Sequence, residues 1–219
     1  MGTASQHEDG PLKRHASAWR ENLESLLWAV VLAVGIRTFL IAPFKIPSGS
    51  MHPTLQVGDR ILVNKLTYRF RPPRPGEIVV FYYPKEWHAF HDRLEGFLQR
   101  DASLMERFSH FITVGRPFIK RFIAAGGDRV EIRDGRVLVN GRVLDGRTIF
   151  NTNYYVNDES YPYGQPHQII QVPEGQFYVL GDNSRSSHDS RFWGFVPKRL
   201  LIGRAICIFW PPNRLRILH

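Results

Sequence analysis

Ser50, in Ile46-Pro-Ser-Gly-Ser-Met51, and Lys120, in Phe118-Ile-Lys-Arg-Phe122, are the side chains of this 219-residue chain best suited to nucleophilic chemistry. A serine hydroxyl attacks a carbonyl only when a base removes its proton, and lysine is such a base only while its amine is neutral. At a pKa near 10.4 only about 0.04% of lysines are neutral at pH 7, whereas a pKa near 8 raises this to roughly 10%. Desolvation produces such a shift. In a strand over 118–123, Phe118, Lys120 and Phe122 share one face and Ile119, Arg121 and Ile123 the other, so the lysine gains two aromatic neighbours. Arg121 is no base, because its guanidinium stays charged. Ser48 and Ser50, two apart in an extended segment, point the same way, so that one can attack while the other donates to the developing oxyanion. Gly49 lets a substrate backbone come close, Pro47 stiffens the approach, and Met51 closes the motif.

The elements that must position this pair begin with an apolar segment. Leu23 to Ala42 makes about 30 Å of helix, enough to cross a bilayer core, with Arg37 near its end able to reach the headgroups. Lys13, Arg14 and Arg20 precede it, which places the N-terminus in the cytoplasm and the rest across the membrane. The expected organisation is a loose cytoplasmic tail over 1–21, a transmembrane helix over 22–43 and an extracytoplasmic domain over 44–219.

That domain reads as mainly β and antiparallel. Arg60–Asn64, Glu77–Tyr82, Ile119–Ala124, Gln176–Leu180 and Gly203–Trp210 are rich in β-branched and aromatic residues. Asp134-Gly135 and Asn140-Gly141 are hairpin dipeptides within 129–145, predicting a β-meander there, and 146–173 reads as an irregular excursion. Over 86–113 the apolar spacing turns helical, and Ser103-Leu-Met-Glu106 reads as a capping box, predicting a helical insertion.

A formal charge of +9 favours anionic partners, with solubility or attraction to anionic lipid as its explanation; the scattered basic residues match no nucleic-acid recognition motif. Cys207 is alone, so no intrachain disulfide forms. The scattered histidines and absent H-E-x-x-H predict no metal site and no cofactor. His188 and Asp189, as strand neighbours, diverge and make a poor triad with a serine.

The Ser50 motif, with Pro53-Thr54-Leu55, resembles the nucleophile motif of bacterial type I signal peptidases, membrane-bound serine proteases that remove signal peptides from exported proteins. Arg74-Pro-Gly-Glu-Ile-Val-Val-Phe81 is similar to that family's R-x-G-D/E-I-V-V-F strand. Lys120-Arg-Phe-Ile-Ala-Ala-Gly-Gly-Asp128 resembles its K-R-x-x-G-x-P-G-D segment, and Gly181-Asp-Asn-Ser-Arg-Ser-Ser-His-Asp-Ser-Arg191 its G-D-N-x-x-x-S-x-D-S-R box. The resemblance implies Ser50 as nucleophile, Lys120 as general base, and Ser48 with the Ser50 amide as oxyanion hole. It further implies that Ser187 hydrogen-bonds the lysine, and that Asp189 and Arg191 form a supporting ion pair. The implied partners are signal-peptide-bearing preproteins, cut after small residues of the A-x-A kind, and the lipid bilayer; the chain is taken to act as a monomer. Ala124 and Gly126 depart from the family's glycine and proline, and Ser184, Arg185 and Ser186 from its common Arg, Asp and Asn. A soluble self-cleaving regulator of the repressor type, or a membrane-tethered scaffold with a decayed site, shares parts of this pattern.

Overall fold

The structure, a computed structural model, describes residues 11–83, 117–144 and 154–218. The helical insertion expected over 86–113 lies outside the described residues. Two compact units emerge, Met1–Ile41 and Ala42–His219.

The first unit is helical. α1 runs Pro11–Gly35 and continues as a π-helical turn over Ile36–Leu40. Helix therefore replaces the loose tail expected over 11–21. Gly10-Pro11 reads as a turn, but proline at the first helical position has no N–H to lose and a φ already set for the helix. Residues 12–21 are mostly good helix formers, continuous with the apolar run. The apolar stretch Asn22–Leu40 is long enough to cross a membrane, and its large apolar side chains are exposed. It stops short of the expected boundary at 43, because Ile41–Lys45 is already strand β1.

The second unit is built on antiparallel strands: β2 Arg60–Asn64, β3 Ile78–Tyr82, β4 Pro117–Ala125, β5 Arg129–Arg133, β6 Arg136–Val139, β7 Arg142–Val143, β8 Ile170–Gln171, β9 Gln176–Leu180, β10 Val196–Pro197, β11 Leu201–Trp210 and β12 Arg216–Ile217. An eight-stranded sheet runs β1-β2-β11-β3-β4-β9-β10 with β12 beside β11, and a four-stranded sheet runs β7-β6-β5-β8. The mainly β reading of the domain holds.

β3 shows why this order forms. Ile78 and Val80 pack with Ile61, Val63 and Ala205, whereas Val79 and Phe81 pack with Phe122, Phe177 and Val179. A run of apolar residues with both faces covered belongs at the centre of a sheet, and each such burial is worth about 1.5–3 kcal/mol. β4 lies against β3 with Lys120 opposite Val79, so the candidate base sits in an interior strand pairing.

The meander β5-β6-β7 turns where the dipeptides predict. Asp134 and Gly135 have φ of 50° and 74°, and Asn140 and Gly141 of 54° and 77°, the paired positive values of a type I′ hairpin. Its core joins Val130, Ile132 and Val137 to Ile123, Tyr178 and Leu180 of the larger sheet.

Candidate active site

Ser50 lies in a 3-10 turn, Gly49–Met51, preceded by Ser48 in extended conformation. The turn overturns the alternation argument for Ser48 and Ser50, since the chain between them is not extended. Ser48 is exposed and makes no cap bond to the turn, so its hydroxyl is available as a donor. Met51 is anchored in the core beneath. Leu55 N–H donates to Met51 O at 2.8 Å and His52 N–H to Gly49 O at 3.0 Å, which closes the turn on itself.

Lys120 reaches this turn from β4. Its Nζ donates to Ser50 Oγ at 2.7 Å and to Ile119 O at 3.2 Å. The side chain is buried, with Nζ 5.7 Å from the centre of the Phe118 ring. Burial lowers its pKa from the ordinary 10.5 to about 8, against the opposing pull of Asp189 and Asp182. Phe122, the other aromatic expected to flank the lysine, packs on Phe177 at 5.8 Å. A cleft lined by Ile46, Pro47, Ser48, Met51, Phe118 and Ile119 contains both Ser50 and Lys120. Pro47 and Met51 thus both line the cleft, Met51 from its place in the core. Gly49 has open space where a Cβ would stand and contributes its carbonyl to the turn.

The 181–191 loop joins the Ser50 turn to the strand that carries Lys120. Asn183 N–H donates to Ser50 O at 3.0 Å, and its Nδ2 to Gly49 O at 3.2 Å. Asp182 holds Arg121 by two bonds, of 2.7 and 2.5 Å, in a buried ion pair, while the same guanidinium donates to Gly76 O. The residue after Lys120 is therefore tied to the residue before the turn's clamp. A Cβ on Gly181 would lie 2.0 Å from Ser187 Oγ and 2.6 Å from Ser50 O, so only glycine lets the loop approach this closely.

Asp189 and Arg191 are fully buried and paired. Arg191 Nε and Nη2 donate to Asp189 at 2.9 Å each, and the remaining N–H groups go to Val156 O, Ser184 Oγ and Ser184 O. All five guanidinium donors are satisfied. The second Asp189 oxygen also accepts Gly181 N–H, fixing the loop beside Ser50. Removing one member of such a pair leaves a buried charge uncompensated, which costs about 3–5 kcal/mol. Arg191→Met is thus expected to lower the thermal unfolding midpoint by roughly 10 °C; a shift of a degree or two in calorimetry would contradict this account.

The bond from Ser187 to Lys120 that the resemblance implies is not formed. Lys120 bonds Ser50 and Ile119 instead, and the buried Ser187 Oγ has no hydrogen-bond partner among the described residues. His188 is exposed, and its Nε2 lies 3.5 Å from the Tyr83 hydroxyl.

Sequence reasoning missed Asp182, Asn183 and Ser184. A signal existed for the first: an arginine inside an apolar strand, as Arg121 is, needs an acidic partner. The departures also find reasons. Ser184 is buried and bonds Arg191 through both hydroxyl and carbonyl, while a Cβ at Gly126 would meet Glu174 Cα and Pro173 O at 2.8 Å.

Residues 19–210 match the family described as Signal peptidase, peptidase S26. The chain belongs to that family. A probable signal peptidase I-2 of Synechocystis sp. is 40% identical over 92% of this chain and 78% of its own length. A signal peptidase I of Leptolyngbya laminosa is 42% identical over 89% and 81%, and one of Mycobacterium tuberculosis 36% identical over 99% and 80%. As a peptidase S26 signal peptidase, the protein is a signal-peptide-cleaving serine endopeptidase. Membership of the family sets aside the repressor-type regulator.

Proposed function

We propose that Ser50 and Lys120 are the nucleophile and general base of a single-pass membrane endopeptidase that cuts signal peptides from exported preproteins. The observation that carries the proposal is the 2.7 Å contact between a buried amine of lowered pKa and a serine hydroxyl in an open cleft. Neutral Lys120 takes the Ser50 proton as Oγ bonds to the scissile carbonyl carbon. Ser48 Oγ and the Ser50 N–H donate to the oxyanion. The proton passes from Nζ to the leaving amine as the C–N bond breaks, and water, deprotonated by Lys120, then releases the acyl group. Asp189 and Arg191 hold the loop beside the turn, and Ser187 supports it through packing against Gly181.

The apolar, narrow lining around Ile46 and Ile119 suits small side chains, in keeping with cleavage after A-x-A sequences. The helix over 22–40 anchors the protein in the inner membrane, with Lys13, Arg14 and Arg20 holding the N-terminus in the cytoplasm and the catalytic unit on the exported side. No metal or cofactor takes part in the scheme.

Incubation of the purified, detergent-solubilised protein with an exported precursor tests this directly. The expected product is mature protein from a single cut after a small residue; an intact precursor would overturn the reading. Ser48→Ala is expected to lower kcat by roughly 10² to 10³ with little change in KM, because the lost donor acts on charge that appears only in the transition state. Unchanged turnover in that variant would remove Ser48 from the oxyanion hole.

A further inference from the structure

Phe118, which lines the cleft beside Lys120, is also the first of a contiguous series of aromatic side chains. Tyr83 stacks on Phe118 with centroids 4.8 Å apart and planes at 21°. His188 lies 6.4 Å from Tyr83, Phe192 5.0 Å from His188, and Tyr161 4.7 Å from Phe192. His188 is exposed, Phe192 is 37% exposed, and Phe118, Tyr83 and Tyr161 are half-buried. Single exposed aromatics are ordinary surface. These five come from four separate segments and form one row, and the row begins on the wall of the catalytic cleft.

The row is held from beneath. Trp193 meets Tyr83 edge-on at 5.9 Å, and the Arg191 guanidinium lies 5.1 Å from the Tyr161 ring. Phe192 belongs to the short helix α2, Ser190–Trp193, which Asp189 caps by accepting Arg191 N–H. The rings are therefore fixed before any ligand arrives, which lowers the entropic cost of binding. The ring-to-ring steps, of 4.8, 6.4, 5.0 and 4.7 Å, are mostly shorter than the about 6.6 Å at which an extended peptide repeats its side chains on one face. Side chains of an extended chain laid along the series therefore meet ring surface without a one-to-one register.

We propose that this aromatic ladder is an extended substrate subsite, binding apolar side chains of the preprotein where its chain continues past the Phe118 wall of the cleft. The inference rests on the peptidase reading above, since the occupant is the polypeptide whose scissile bond lies at Ser50. Ring faces offer apolar and proline side chains broad contact at little cost in conformational freedom. The cleft itself selects the small residues at the cut, and the ladder adds affinity for a long chain without selecting a sequence there.

The test compares a full-length precursor with a short peptide that spans only the few residues around the cut. For the double variant His188→Ala/Phe192→Ala, KM for the precursor is expected to rise about tenfold, equivalent to about 1.4 kcal/mol, with kcat unchanged. The same variant is expected to cleave the short peptide as the unaltered protein does. The ring-retaining variant His188→Phe is expected to keep the original KM for the precursor, which a merely structural role for the imidazole would not require. Equal losses on both substrates, losses on neither, or a fall in kcat with KM unmoved would overturn the ladder while leaving the peptidase intact. Failure of the unaltered protein to cut any precursor would overturn the peptidase reading, and the ladder with it.

Discussion

Ser50→Ala is expected to lower kcat for precursor cleavage by a factor on the order of 10⁶, the scale on which serine proteases lose turnover when the nucleophile is removed. The substitution takes away one oxygen and little else. The turn's clamp survives, because Asn183 bonds the carbonyls of Ser50 and Gly49 rather than the hydroxyl. Stability should fall by about 1 kcal/mol, because the buried Lys120 amine loses its 2.7 Å partner and keeps only Ile119 O. Full-length precursor incubated with this variant should remain uncut over times that exhaust it with the unaltered protein. Cleavage within tenfold of the original rate would require another nucleophile.

Lys120→Met is expected to act in opposite directions on activity and stability. Loss of the base should lower kcat by roughly 10² to 10⁴. Folding, by contrast, no longer has to bury an amine whose pKa falls from 10.5 to about 8. The unfolded chain binds a proton that the folded chain gives up between those values, so stability from this group is lowest below pH 8 and rises with pH up to 10.5. A displacement of about 2.5 pH units corresponds to roughly 3 kcal/mol of penalty at neutral pH, an upper figure for what methionine relieves. Methionine is unbranched and apolar, and sits well against the ring of Phe118. Urea unfolding at pH 7 and pH 10 should show the variant gaining more at pH 7. The pH profile of the unaltered protein carries the same signature, with kcat/KM rising through a limb near pH 8 as the amine loses its proton. A Lys120→Met variant that still matures precursors at full rate would end the assignment of the base.

Much of the scaffold was legible because its signals are local. Asp134-Gly135 and Asn140-Gly141 demand positive φ at both turn positions, and few other structures accept that. The uninterrupted apolar run of β3 marks a strand covered on both faces. Ser50 and Lys120 were legible for chemical reasons, as a hydroxyl and an amine whose surroundings could be judged from neighbouring residues. The remainder depended on tertiary contacts or on longer stretches of chain. Whether Gly10-Pro11 turns the chain or opens a helix is decided by the helix-forming residues on its C-terminal side. Ser50 lies in a tight turn, with Ser48 extended just before it, and Asn183 pins that turn from far along the chain, which nothing near Ser50 announces. The Arg121–Asp182 pair and the full satisfaction of the Arg191 guanidinium likewise join segments that composition and periodicity treat separately.

The contact between Lys120 and Ser50 spans 70 residues of sequence, and that between Asn183 and Gly49 spans 134. Closing loops of that length costs chain entropy before any contact compensates for it. An incompletely folded chain therefore lacks the assembled Ser50–Lys120 contact. With Ser50 and Lys120 as the proposed pair, proteolytic competence arrives only with the finished domain.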